Sequence, residues 1–238
     1  LTSGEKRFSR CLDKLLEDDS LCWYDIPLGS KRRYPDFVIL HPSRGILFLE
    51  VKDWKASTIK KISHKHVEIL TDTGLKTQSN PIEQARQCSY QVLHVFERDD
   101  QLKQVGGNYH GKLCFPYGYG VVFPNITRKQ LDSAIPEEHR DRLLPSRLII
   151  CQDEMTPNTD AEEFQEQLWG MFNYQFGEKL TLPQIDRIRW HLFPEIRIDS
   201  GQQELFAPTA NEIVPVESAI PDIVKIMDIQ QEQLARSL

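Results

Sequence analysis

Residues 34–52 read YPDFVILHPSRGILFLEVK, and this stretch decides the fold. Two apolar runs, Phe37-Val38-Ile39-Leu40 and Ile46-Leu47-Phe48-Leu49, flank a five-residue turn, His41-Pro42-Ser43-Arg44-Gly45. Short apolar runs bounded by Pro and Gly read as the two strands of a hairpin. With the turn symmetric about Ser43, Leu40 faces Ile46, Val38 faces Phe48 and Asp36 faces Glu50. Side chains alternate between the faces of a strand, so Asp36, Glu50 and Lys52 share one face. Opposed residues sit about 4.5–5.5 Å apart at Cβ, where like charges repel. Two carboxylates that close inside apolar strands need a compensating cation, supplied by Lys52, a divalent metal or both. An exposed strand end with scattered charges gives the same spacing. The apolar residues on both faces of the strands favour a buried acidic site.

The surrounding composition is that of an ordinary soluble protein, with 39% hydrophobic and 27% charged residues in 238, enough for a sizeable core. No apolar run approaches the roughly 18–20 residues of a membrane span, and no signal-peptide pattern opens the chain. Five dispersed cysteines, Cys11, Cys22, Cys88, Cys114 and Cys151, without any C-x-x-C spacing, imply reduced thiols in a cytoplasmic protein. Net charge is −6, which argues against a chain dominated by phosphate binding. The charge is uneven, however. From Lys31 to Lys65 nine Lys and Arg face three Asp and Glu, so a basic surround encloses the acidic hairpin. A solvated charged face explains that run as well as a polyanionic substrate does. Lys31, Arg32, Arg33, Lys55, Lys60 and Lys61 are the candidate contacts to such a substrate.

Outward from the hairpin, residues 3–17 read as an amphipathic helix with Phe8, Cys11, Leu12, Leu15 and Leu16 in one stripe. Glu5 falls within that stripe and points inward, or serves the helix start. Glu17 lies opposite, towards solvent. Leu21 to Leu28 reads as a first strand. Lys65–Leu70 and Leu75–Gln78, around Thr71-Asp72-Thr73-Gly74, read as a second hairpin extending the sheet edge. Asn80-Pro81-Ile82-Glu83 opens a helix to about Glu97, with Gln84, Cys88 and Gln91 along one flank. Tyr117–Phe123 and Leu148–Cys151 read as core strands, and Arg128–Ala134 and Pro136–Leu143 as short helices. Asp160–Phe176 and Leu182–Phe193 read as helices, with Trp169 and Trp190 in the core. Whether residues from about 126 to 200 complete the core or bridge to something else stays open. Gln202–Asp222 reads as a linker, and Ile223–Leu238 as the start of a new helix. No G-x-x-x-x-G-K-[ST] phosphate loop occurs.

Pro35-Asp36 and Glu50-Val51-Lys52, 14 positions apart from Asp36 to Glu50, form the P-D…(D/E)-x-K signature of restriction-endonuclease-like nucleases. With G-E-K-R-F at 4–8, E-V-K-D-W at 50–54 and N-P-I-E-Q-A at 80–85, the series resembles the NERD (nuclease-related) domain over about residues 3–125. Pro35 stands where the more usual NERD strand has an acidic or small residue, which restores the P-D form. The resemblance implies an α/β fold: a restriction-endonuclease-like mixed central β-sheet flanked by helices, with additional C-terminal helices over about 126–200. It implies Mg²⁺- or Mn²⁺-dependent DNA cleavage. Asp36, Glu50, the Val51 carbonyl and Glu5 would be metal ligands, Lys52 the catalytic lysine and Gln84 a supporting residue. The tail, L-P-Q-I-D-R-I-R-W-H-L-F-P-E-I from 182 and D-I-Q-Q-E-Q-L-A-R-S-L from 228, resembles the junction to a UvrD/Rep-like helicase. Gln230 or Gln231 would then be the remnant of its adenine-contacting motif. That reading makes the chain, which opens on Leu1, the nuclease-like part of a longer helicase-nuclease. A silent DNA-delivery module and a regulatory interaction domain are the rival expectations.

Overall fold

The computed structural model describes residues 1–24 and 34–193. Lys31, Arg32, Arg33, the end of the expected first strand (25–28), the expected linker and the helicase-like tail from 194 onwards, Gln230 and Gln231 included, lie outside the described residues. In chain order the regular elements are α1 (Ser3–Leu15), β1 (Leu21–Tyr24), β2 (Phe37–His41), β3 (Gly45–Val51), β4 (Ile59–Ile62), β5 (His66–Thr71), β6 (Gly74–Ser79) and α2 (Pro81–Phe96). They continue with β7 (Tyr117–Phe123), α3 (Arg128–Ala134), α4 (Glu137–Leu143), β8 (Ile149–Cys151), α5 (Ala161–Trp169) and α6 (Leu182–Leu192).

The central sheet runs β1-β2-β3-β7-β8. The pairs β1–β2 and β2–β3 are antiparallel, whereas β3–β7 and β7–β8 are parallel. A parallel pair needs a long crossover, and the chain from β3 to β7 supplies one that contains α2. The result is the mixed, helix-flanked α/β sheet that the sequence implied.

Every residue of β2 and β3 is buried, because helices cover both faces of the sheet. On one face α1 and α5 bring Phe8, Leu12, Phe164 and Leu168 onto Phe37, Ile39, Leu47 and Leu49. On the other, α2 and α6 bring Val92, Phe96, Ile188 and Leu192 onto Val38, Leu40, Ile46 and Phe48. Further along, Leu131 of α3 packs with Val121, Phe123 and Ile149. The region beyond residue 126 thus contributes a sheet strand, β8, and residues of the three helices α3, α5 and α6 to this core.

Local chemistry sets the element ends. Thr2 and Glu5 form a reciprocal capping box at the start of α1. Asn80 caps α2, whose first residue is Pro81. Gly45 holds φ +100°, and a Cβ there would lie 2.1 Å from the Pro116 carbonyl oxygen, so the β2–β3 turn requires glycine.

Some expectations fail. The second hairpin does not extend the central sheet: β5 and β6 join β4 in a separate three-stranded sheet. Alternation identifies strands but not the sheet they enter. The helix expected to reach Phe176 stops at Trp169, where Gly170 forms the cap, although apolar spacing continues to Phe172. Trp190 is 48% exposed, not core. Glu17 is not simply solvated: it accepts from Trp169 Nε1 and pairs with Arg44.

Candidate active site at the end of the hairpin

The β2–β3 register pairs Leu40 with Ile46, Val38 with Phe48 and Phe37 with Leu49. The ladder ends at Phe37–Leu49; Asp36 immediately precedes that pair and Glu50 immediately follows Leu49 on β3, the relation that the symmetric turn requires. A one-residue slip would have sent them to opposite faces. Val51 N–H donates to Asp36 Oδ2 at 2.7 Å, which fastens the aspartate to the end of β3.

Glu50 is the centre of the group and is only 2% exposed. Lys52 Nζ lies 2.6 Å from Glu50 Oε1, with the lysine side chain itself 15% exposed. Gln84, in the first turns of α2, donates its Nε2 to the same oxygen at 2.5 Å. Glu50 Oε2 is buried with no hydrogen-bond partner. Burial pushes the Glu50 carboxyl up to about 7; the Lys52 charge and hydrogen bond oppose the rise, while the charges of Asp36 and Glu5 add to it. A carboxylate desolvated to this degree, with one oxygen unpaired, suits a cation or an acid–base role better than a structural one.

Asp36, Glu50, Val51, Lys52 and Gln84 are therefore brought together. Glu5 stands at the rim. Its Oε2 accepts from Thr2 N–H at 2.8 Å, so both open readings of Glu5 hold in part: it caps its helix, and its charge still reaches Glu50. Among the described residues, no three His, Cys, Asp or Glu side chains converge closely enough to hold a metal ion by themselves. An oxygen pair is nevertheless a fit for Mg²⁺, which commonly takes one or two carboxylates and keeps its remaining ligands as water or substrate oxygen. Lys55, Lys60 and Lys61 are exposed on or beside β4, with Lys61 3.7 Å from Glu68.

Two polar residues beside the site escape a sequence reading. Asp53 receives Gly4 N–H, and Asn125 donates to Asp53; these partners lie 49 and 72 positions apart, beyond any local pattern. The only signal was the place of Asp53 next to Lys52.

A family model matches this part of the chain. It is the nuclease-related domain, NERD, and it covers residues 2–116. The NERD match thus spans α1, the hairpin with Asp36, Glu50 and Lys52, and α2 with Gln84. It ends at the threshold of β7, so β8, α5 and α6 lie beyond the NERD boundaries. No curated protein and no solved structure matches the chain. Among the described residues, no helix is long and apolar enough to cross a membrane.

Proposed function

We propose that this chain is a Mg²⁺- or Mn²⁺-dependent deoxyribonuclease of the PD-(D/E)xK type, acting in the cytoplasm as part of a helicase-nuclease. The observation that carries the reading is Glu50: a buried carboxylate beside Asp36, held at one oxygen by Lys52 and Gln84 and unpaired at the other. Asp36, Glu50 and the Val51 carbonyl would hold the ion, with Glu5 adding negative charge from α1. When bound, such an ion polarises the scissile phosphate and lowers the pKa of an attacking water.

The protein's own groups divide the remaining work. Gln84 fixes the Glu50 carboxylate in one orientation. Val51 N–H does the same for Asp36. Lys52 carries a donor on the same face, placed to orient water and to stabilise negative charge that develops on the phosphorane. The exposed Lys55, Lys60 and Lys61 draw the phosphate backbone towards that face. The helicase-like tail supplies the reason a DNA strand would be delivered there; with no Walker loop in the sequence, the chain itself should not hydrolyse ATP.

Plasmid nicking and single-strand cleavage in Mg²⁺ or Mn²⁺ test the reading. Lys52→Ala should lower the rate by about 10²–10³, as removal of one transition-state donor does. Equal rates in the two proteins would remove Lys52 from the chemistry. A second reading is a nuclease fold that retains its acids but binds and delivers DNA without cutting it. DNA affinity in EDTA, together with no cleavage in any divalent metal, would favour that module.

A further inference from the structure

The start of α1 is fastened to the segment that follows β3, beside Lys52. Gly4 sits in the first helical turn, where backbone N–H groups have no helical acceptor. Its N–H donates to Asp53 Oδ2 at 3.2 Å. Asn125 Nδ2 donates to the Asp53 main-chain oxygen at 3.0 Å and to its Oδ1 at 3.3 Å. Arg7, one turn into α1, donates from Nη2 to Asn125 Oδ1. The Asp53 carboxylate therefore serves α1 with one oxygen and the loop after β7 with the other. A carboxylate at a helix N-terminus is also favoured by the helix dipole.

The fit is close. Gly4 is buried, and a Cβ there would lie 1.9 Å from Asp53 Oδ1 and 2.8 Å from Pro124 Cγ. Apart from Gly4, the buried residues of α1 begin at Phe8, so the first turn depends on Asp53 for its attachment. The capping box binds Glu5 to its own helix, not the helix to the sheet. On either side of the fastening stand the two groups that flank Glu50: Glu5 follows Gly4, and Lys52 precedes Asp53.

We propose that Asp53 is a positioning residue, whose carboxylate, gripped by Asn125, clamps the first turn of α1 to the end of β3 and so sets Glu5 and Lys52 around Glu50. Its catalytic consequence rests on the nuclease reading above, but the clamp itself is measurable without cleavage. The sharpest variant is Asp53→Ala, which removes both acceptor oxygens, whereas an asparagine would keep a carbonyl oxygen able to accept from Gly4 N–H.

Two measurements on the full chain decide it. Amide hydrogen exchange at Gly4 and Glu5 should accelerate about 10-fold or more in Asp53→Ala, while Leu47 and Val122 stay protected. Cleavage should show kcat lowered about 10–100-fold, as expected of a misplaced site, with KM and DNA affinity in EDTA within about twofold of wild type. Wild-type exchange at Gly4 and Glu5 would overturn the clamp. Equal acceleration at Leu47 and Val122 would also overturn it, since that marks general destabilisation. A change in KM alone would overturn the positioning role. If wild type cleaves nothing, the nuclease reading fails, and the exchange comparison alone decides whether the clamp exists.

Discussion

Glu50 carries a pH signature that can be read at the level of one side chain. Its carboxyl is pushed up to about 7, first by burial, so between its ordinary value and about 7 the native state holds a proton that the unfolded chain has lost. Stability contributed by this group is therefore full below the ordinary carboxylate range and falls as pH rises through the folded value. Urea unfolding across that window should show a negative slope in wild type that Glu50→Gln removes, a difference on the order of 3 kcal/mol. An identical slope in both proteins would contradict the burial of Glu50. Gln84→Ala should cost about tenfold in cleavage rate, because it frees the Glu50 carboxylate to rotate; unchanged rates would leave Gln84 a polar border residue. The neighbourhood of Asp36, Glu50 and Lys52 was legible in the sequence because a symmetric turn and a period of two fix who faces whom. Asp53 and Asn125 were not, since their partners meet only after β3 and β7 have paired.

At the scale of elements, the hairpin turn and α6 make separate predictions. Gly45→Ala forces a Cβ onto the Pro116 carbonyl in a left-handed backbone, and should cost about 1–3 kcal/mol with a lowered Tm. α6 is pinned at Asp99, a buried carboxylate whose Oδ2 lies 2.7 Å from Arg187 Nε and 2.7 Å from His191 Nε2. Asp99→Ala leaves Arg187 and His191, which reach solvent, without their carboxylate and should destabilise by about 1–3 kcal/mol in urea unfolding, whereas no measurable loss would mean that α6 is held by its apolar face alone. The start of α2 was readable because Asn80-Pro81 is a chemical signal, whereas the Thr2–Glu5 capping box of α1 emerged only in the structure. Ends were harder. The apolar spacing through Phe172 continued past Gly170, and the cap overrode it. β4, Ile-Lys-Lys-Ile, is half exposed and left no strand signal strong enough to show that a second sheet had begun.

For the whole molecule, charge and topology carry the functional weight. On the proposed nuclease reading, a net charge of −6 with basic residues gathered near the hairpin predicts DNA affinity that is local and salt-sensitive. Replacing both Lys60 and Lys61 with Ala should weaken duplex binding and reduce the slope of log affinity against log salt by about one per lysine; an unchanged slope would remove the three-stranded sheet from the DNA path. The α/β class came with the NERD resemblance carried by the hairpin and the helix starts around it, while the division into a five-stranded and a three-stranded sheet needed tertiary pairing to emerge. The central claim is that the Asp36–Glu50 oxygen pair holds a divalent cation. Crystals of the full chain soaked in Mn²⁺ and measured at the manganese edge test it most directly. The expected result is an anomalous peak within ligand distance of Asp36 and Glu50 that Glu50→Gln abolishes; no peak there, at Mn²⁺ concentrations that support DNA cleavage, would contradict the account.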